Sequence, residues 1–141
     1  MSRLFVALIF SFVATSALCQ SSESPCWKTA MAQNEMNRCA DLDSRAADAD
    51  LNDVYQELLS KLKGDQRATQ KLRVAQRAWI AFRDAHLREL FPAEDKQREY
   101  GSMYPRCYAQ VATAMTKERT AQLRRMMNGK DPCDASATSD N

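Results

Sequence analysis

Apolar residues recur at helical spacing in the first long segment of the chain, from about residue 32 to residue 64. Their steps are mostly three, four or seven residues, which predicts an amphipathic helix. Gly64 is a natural end for this helix, because glycine readily adopts the left-handed conformation that closes one. The predicted apolar stripe comprises Met36, Ala40, Ala47, Leu51, Val54, Tyr55, Leu58 and Leu62.

A second helix is predicted from Gln66 to Leu90. The turn at Gly64-Asp65 is so short that this helix must run antiparallel to the first. Pro92 stops it, because the residue before a proline avoids the helical conformation. The predicted inward face of this helix has Trp79 as its central anchor and comprises Leu72, Ala75, Trp79, Phe82 and His86.

A polar linker, residues 93–102, separates the second helix from a third. The third helix is predicted to begin near Pro105, since proline is tolerated in a first turn, and to close at Asn128-Gly129. Its predicted stripe is Tyr108, Val111, Met115, Gln122 and Met126. No strand pattern or internal repeat is present, so we expect an all-α, antiparallel three-helix bundle.

The ends of the chain predict export. Arg3 precedes an apolar stretch, Leu4 to Leu18, which is too short to span a bilayer but fits a secretory signal peptide. We therefore expect a cleaved leader at residues 1–19, a helical domain at 26–133 and a disordered polar tail at 134–141. The Leu18-Cys19 sequence argues against lipid attachment, so a periplasmic or secreted protein without stable membrane insertion is predicted.

Four cysteines remain after the leader: Cys26, Cys39, Cys107 and Cys133. An even number in a short exported domain predicts disulfides, and three connectivities are possible. A Cys107–Cys133 bond requires the third helix to fray. An unbroken helix to Met127 would be about 30 Å long, and the six residues after it return only about 20–22 Å.

Several polar residues lie on or near the seams between the predicted helices. Buried amide and guanidinium groups are costly unless they are hydrogen-bonded, so we expect a satisfied interhelical network. Arg83 is expected to pair with Asp48 or Asp50. The predicted network comprises Asn37, Asp48, Asn52, Gln76 and Arg83.

The sequence shows no enzyme motif. His86 is the only histidine and has no evident nucleophile partner, and the three glycines are too dispersed for a phosphate loop. We predict neither a metal site nor a cofactor. Loss of Arg3 with the leader lowers the formal charge from +2 to +1, which gives no reason to expect nucleic acid. The charge is uneven, however: residues 41–57 hold six acids against Arg45, and residues 61–88 hold eight bases against two acids.

Three ungapped blocks carry a resemblance to a known family. They read Gln33-x-Glu35-Met36-Asn37-x-Cys39-Ala40, then Asp48-x-Asp50-Leu51-Asn52-x-x-Tyr55, then Leu72-x-x-Ala75-Gln76-Arg77-Ala78-Trp79-Ile80-x-Phe82-Arg83-Asp84-Ala85. The pattern resembles the small secreted domain of the LprI-type lysozyme inhibitors. The resemblance implies a local Cys26–Cys39 bridge. Relatives often carry a cysteine where this chain has His86-Leu87, which leaves the state of Cys107 and Cys133 open.

The resemblance also implies a binding function, with lysozyme as the protein partner. C-type lysozymes are basic, so an acidic surface should steer association. The expected contact acids are Asp41, Asp43 and Asp53 on the first helix. The loop from Phe91 to Tyr104 adds Tyr100, Ser102 and Tyr104, which are residue types that adapt well to a partner. The alternative is an exported structural or envelope-stress protein without inhibitory activity. The oligomeric state stays open.

Overall fold

The computed structural model describes residues 24–129, which form an all-α bundle of three long helices, as predicted. The helices are α1 (Gln33–Lys61), α2 (Gln66–Leu90), the short α3 (Lys96–Tyr100) and α4 (Tyr104–Met127). Two 3-10 turns, Pro25–Lys28 and Gly101–Met103, precede α1 and α4. No helix among the described residues is long and apolar enough to cross a membrane. The predicted signal peptide and tail lie outside this range.

Local side-chain bonds account for the helix boundaries. The carboxylate of Asp65 accepts a hydrogen bond from the Ala68 N–H at 2.9 Å, which satisfies a free donor in the first turn of α2. Across the same turn, the Thr69 hydroxyl donates to the Leu62 carbonyl at 3.0 Å. Because these signals are local, the predicted bounds of α2 agree with the observed ones.

Helix α1 packs mainly against α4, and the two run parallel. Met36 of α1 lies beside Arg106 near the start of α4, and Asp48 lies beside Thr116 further along. Helix α2 runs antiparallel to both, and Arg83 of α2 bonds to Asp48 and Thr116. The bundle therefore has an up-down-up topology, with α1 and α4 as its central pair.

The core lies where the three long helices meet in the half of the bundle nearest the α1–α2 turn. Its buried members are Leu51, Val54, Leu58, Leu72 and Leu123. Leu123 is completely buried, and Tyr55, Trp79 and Met127 pack against the cluster from partly exposed positions. The predicted core of α1 is confirmed, whereas Trp79 lies at the edge of the core and not at its centre.

The buried face of α4 differs from the prediction by one position. Its buried residues are Ala109, Ala112, Thr116, Thr120 and Leu123. Tyr108 and Met126, which were expected inside, are 37% and 55% exposed. The reason is helix spacing: small residues let two helices approach closely, since the interaxial distance depends on the side chains at the contact. In α4 the alanine and threonine side chains are therefore buried against the other helices, and the larger Tyr108 and Met126 lie next to this face with partial exposure.

The inward face of α2 is also displaced by one position. Leu72, Gln76 and Leu87 are buried, whereas Ala75 is exposed and Phe82 is 59% exposed. Leu72 was predicted on this face and is buried, but the prediction chose Ala75 over Gln76 and His86 over Leu87. The structure instead turns the polar Gln76 inward, where the side chain has a hydrogen-bonding partner on α4. A satisfied polar group can occupy a buried position, which hydrophobicity alone does not reveal.

Candidate functional site

Two of the five residues predicted for the polar network, Asp48 and Arg83, meet at the centre of the bundle. Arg83 Nη1 donates to Asp48 Oδ1 at 2.9 Å and to the Thr116 hydroxyl at 3.4 Å, so one guanidinium connects all three long helices. The same guanidinium lies over the Trp79 ring, 5.2 Å from its centroid. Of the two expected partners, Asp48 is the one that binds Arg83, whereas Asp50 pairs with Arg124.

The other predicted network residues lie apart from Arg83. Gln76 Oε1 accepts from Arg119 Nε at 3.1 Å, and burial lowers the pKa of this arginine. Asn37 Nδ2 donates to the Ser102 carbonyl at 2.9 Å near the other end of α1. Asn52 is exposed and has no side-chain hydrogen bond within residues 24–129. The structure thus shows separate polar contacts and not one continuous network.

A disulfide between Cys26 and Cys39 joins the first 3-10 turn to α1, with 5.5 Å between the Cα atoms. Beside it, Trp27 Nε1 donates to Asp43 Oδ2 at 2.6 Å. The bridge that the resemblance implied is confirmed. Cys107 forms no disulfide within residues 24–129, and Cys133 lies outside them. Asp43, one of the expected contact acids, is engaged inside the protein.

The segment between the 3-10 turn and α1 is fixed at both ends. Thr29 N–H donates to the Cys26 carbonyl at 3.3 Å. The Glu35 carboxylate accepts from the Ala32 N–H at 3.0 Å and from the Met31 N–H at 2.8 Å, and these bonds lower its pKa. The Met31 side chain is nevertheless 83% exposed. A rigid backbone therefore presents a free apolar side chain.

A surface pocket of about 380 Å³ lies against the disulfide. Leu42, which is 45% exposed, forms part of its wall. The pocket is lined by Cys26, Thr29, Ala30, Glu35, Arg38, Cys39 and Leu42. Met31 and Leu42 were not among the residues predicted for a contact surface. Leu42 could have been recognised from the sequence as an exposed apolar residue, because it lies outside the predicted apolar stripe of α1.

The loop from Phe91 to Tyr104 is compact. Phe91 contacts the rings of Tyr100, Tyr104 and Tyr108 at centroid distances of 5.5, 5.3 and 6.1 Å. Lys96 Nζ donates to the Phe91 and Ala93 carbonyls.

Tyr100 and Tyr104, both expected contact residues, are partly buried in this cluster. The hydroxyl oxygen of Tyr100 accepts from the Ala93 N–H at 3.1 Å. Burial raises the pKa of Tyr104, with smaller effects from Tyr108 and Tyr100. Ser102 and Met103 are exposed beside the cluster.

The hydrogen bond from Asn37 to Ser102 brings this loop against α1. Asp41 follows Asn37 by one helical turn, so it lies on the same side of α1 as the loop. Asp41 is exposed and paired with Arg45 at 3.0 Å. Asp53 is exposed without an ion pair among residues 24–129, but it lies about 18 Å further along the helix. Asp41 therefore lies about one turn from the residue that contacts Ser102, whereas Asp53 lies well apart.

We use the name disulfide end for the surface at the N-terminal half of α1. Its residues are Cys26, Met31, Cys39, Asp41, Leu42, Ser102 and Met103. They lie around this end of the helix and not on one face, because Leu42 and Asn37, the residue that binds Ser102, are about 140° apart around α1. This surface is suited to binding a partner, because it has exposed apolar side chains and one acid. The backbone that carries Met31 is held by the disulfide and by the Glu35 carboxylate. Within residues 24–129 no group of histidine, cysteine, aspartate and glutamate side chains could hold a metal ion. His86 contacts Glu89 at 3.1 Å on the surface of α2.

The chain is similar to known proteins over most of the bundle. The family model described as lysozyme inhibitor LprI matches residues 26–123. An uncharacterized protein of Rhizobium meliloti (strain 1021) is 34% identical over 123 residues, which cover 79% of this chain and 85% of that protein. No solved structure matches significantly. The chain therefore belongs to the LprI lysozyme-inhibitor family.

Proposed function

We propose that the mature protein is exported and inhibits lysozyme by binding it through the disulfide end. The observation that carries the proposal is the exposure of Met31 on a backbone that a disulfide and the Glu35 carboxylate hold in place. A contact surface that is ordered before binding loses little conformational entropy when a partner arrives. The family match to lysozyme inhibitors supplies the partner.

Inhibition of this kind needs no chemistry from the inhibitor. Lysozyme cleaves a polysaccharide with two carboxyl groups that flank the scissile bond, so a protein that fills or covers this cleft excludes the substrate. Met31, Leu42 and Met103 are 83%, 45% and 46% exposed and supply apolar contact area. Association would then be slow to reverse, because buried apolar anchors dominate binding energy at interfaces.

The expected contact acids take different roles in this proposal. Asp41 lies at the disulfide end and is placed for direct contact with a basic partner. Asp53 lies further along α1 and acts by steering, which accelerates encounter more than it tightens binding. Asp43 supports the site by accepting the hydrogen bond of Trp27. Tyr100 and Tyr104 support it because their rings stack on each other, with centroids 5.8 Å apart, on either side of Ser102 in the sequence.

The test is lysis of a cell-wall suspension by C-type lysozyme, followed by turbidity, with and without the oxidised mature protein. Met31→Ser and Met103→Ser should each raise the half-inhibitory concentration at least about fivefold, which corresponds to roughly 1 kcal/mol. Ile80→Ser is the matched control, because Ile80 is 40% exposed on α2, away from the disulfide end. If both methionine variants inhibit lysozyme as well as the wild type does, the disulfide end is not the contact surface.

The second candidate is an exported structural or envelope-stress protein without inhibitory activity. It is favoured by the internal contacts of the family-matching residues: Asp48 and Arg83 bind each other, and Gln76 binds Arg119. The need to form these internal contacts is enough to explain why this chain has the residue pattern of the family, without any binding function. A correctly oxidised, folded sample that leaves the lysis rate unchanged at a large molar excess over the enzyme would establish this candidate over the inhibitor.

A further inference from the structure

The half of the bundle nearest the α1–α2 turn carries an excess of positive charge. Helix α1 ends there and α2 begins there, and Met127 at the end of α4 packs against the core of the same half. Residues 53–78 and 121–129 form this half and hold eight bases and three acids. The other described residues hold ten bases and eleven acids. The total charge is therefore small although one end of the bundle is strongly basic.

Helix α2 supplies half of these bases. From Gln66 to Arg83 it contains no acid. At 100° per residue, Arg67, Lys71 and Arg77 lie within about 60° of the direction opposite to the buried side of the helix, and Arg73 lies at the edge of this outer side. All four are exposed, as is Lys63 in the turn before α2. We use the name basic end for Lys63, Arg67, Lys71, Arg73 and Arg77.

The side chains of the basic end have no internal partner. None of them forms an ion pair within residues 24–129. The acids nearby are already engaged: Glu57 pairs with Lys61 at 3.4 Å, and the Asp65 carboxylate accepts the Ala68 N–H at the start of α2. The positive charge of the basic end is therefore available to an anionic partner.

We propose that the basic end binds reversibly to the surface of an anionic phospholipid membrane. Bases that come within a Debye length of such a surface are attracted to it, and several adjacent bases add their contributions. Val74 lies between Lys71 and Arg77 on the outer side of α2 and is 46% exposed. An apolar side chain among bases suits the boundary between the headgroups and the acyl chains.

A nucleic acid fits the basic end less well. Single-stranded nucleic acids are held by aromatic side chains on which the bases stack, in addition to a positive groove. Residues 66–78 contain no aromatic residue. The proposed export of the protein also brings it to lipid surfaces. The residues around the bases therefore favour a lipid surface as the partner.

The proposed contact is small, because Arg67 and Arg77 are only about 15 Å apart along the helix. Binding should therefore be weak, sensitive to salt and confined to the membrane surface. The proposal does not depend on lysozyme inhibition, because the basic end shares no residue with the disulfide end. The disulfide end lies at the opposite end of α1, so a membrane-bound molecule keeps it free for a partner.

The test is co-sedimentation of the oxidised mature protein with large unilamellar vesicles at about 50 mM salt. Vesicles of phosphatidylcholine with about one third phosphatidylglycerol should bind the protein at least about tenfold more tightly than vesicles of phosphatidylcholine alone. Salt at about 300 mM should weaken this binding, because it shortens the Debye length. The triple variant Arg67→Gln, Lys71→Gln, Arg77→Gln should bind roughly 100-fold more weakly, since each base contributes about fivefold.

The matched control removes the same charge from exposed positions outside the basic end. It is the triple variant Lys28→Gln, Arg38→Gln, Arg98→Gln, and none of these three side chains forms an ion pair within residues 24–129. The control should weaken binding by less than about fivefold, because its bases lie away from the membrane. Circular dichroism checks that both triple variants are folded.

Three results would overturn the proposal. The first is no binding of the wild type to the phosphatidylglycerol vesicles at about 50 mM salt. The second is equal weakening by the two triple variants, because binding would then follow the total charge and not the basic end. The third is tighter binding to a duplex DNA fragment than to the vesicles, lost in the variant of the basic end, which would assign this surface to a nucleic acid.

Discussion

Replacement of Ala112 by leucine tests the close packing of α4 directly. Ala112 is 8% exposed in the buried stripe of α4, the helix that packs most extensively on α1. Leucine adds three carbon atoms at a position where the two helices are close together. Extra methylene groups in a well-packed interior typically cost about 1–3 kcal/mol. Helix propensity contributes little, because alanine and leucine are both good helix formers.

Ala114→Leu is the matched control, since Ala114 is exposed on the same helix two residues further on. The control should change stability by no more than about 0.5 kcal/mol, as exposed substitutions usually do. Thermal unfolding followed by circular dichroism should show a melting temperature about 5–15 °C lower for Ala112→Leu, at roughly 5 °C per kcal/mol for a domain of this size. Equal melting temperatures for the two variants would refute the close approach of α1 and α4, and with it the displaced face of α4.

Three further outcomes are expected. Reduction of the Cys26–Cys39 bridge, which spans 13 residues, should lower the free energy of unfolding by about 3 kcal/mol in the chain-entropy model, measured by urea unfolding with and without reductant. Glu35→Gln should destabilise the protein at neutral pH. The pKa of Glu35 is lowered from 4.5 by the Ala32 and Met31 N–H groups, so its contribution is present above that value and is lost as the pH falls through the lowered folded-state pKa. The stability difference between wild type and variant should therefore shrink in urea unfolding below pH 4.5. A combined Asp41→Asn, Asp53→Asn variant should bind lysozyme more slowly in stopped-flow measurements, and added salt should reduce the difference from the wild type.

The boundaries of the helices follow from local sequence signals, and these could be predicted. Asp65, Phe91-Pro92 and Pro105 act on their immediate neighbours, whatever the rest of the chain does. Gly64 does not adopt the left-handed conformation expected of it, and α1 already ends at Lys61. The inward faces of α2 and α4 depend on distant partners. The prediction was one position off along α4, and on α2 it was correct at Leu72 and one position off at Gln76 and Leu87. Gln76 faces inward because Arg119 is there to bind it.

The candidate site was predictable only in part. The Arg83–Asp48 pair was expected because both residues lie on inner seams and carry opposite charges. Asp43 was expected on the surface, but the indole N–H of Trp27 binds it, a contact that crosses from the 3-10 turn to α1. Met31 and Met103 gave no periodic signal, because both lie outside the long helices. Their exposure follows from how the neighbouring backbone is fixed in three dimensions.

The short sequence separation of the disulfide has a consequence for the order of folding. Cys26 and Cys39 are 13 residues apart, so they can meet as soon as the first turns of α1 exist, without any contribution from α2 or α4. Loops of this length close in well under a microsecond, whereas the α1–α4 contact joins distant parts of the chain. In a chain that emerges N-terminus first, the two cysteines can therefore meet before α4 has emerged, although the covalent bond itself forms on the slower timescale set by the oxidant. The contacts that hold the segment presenting Met31 are thus all local in the sequence.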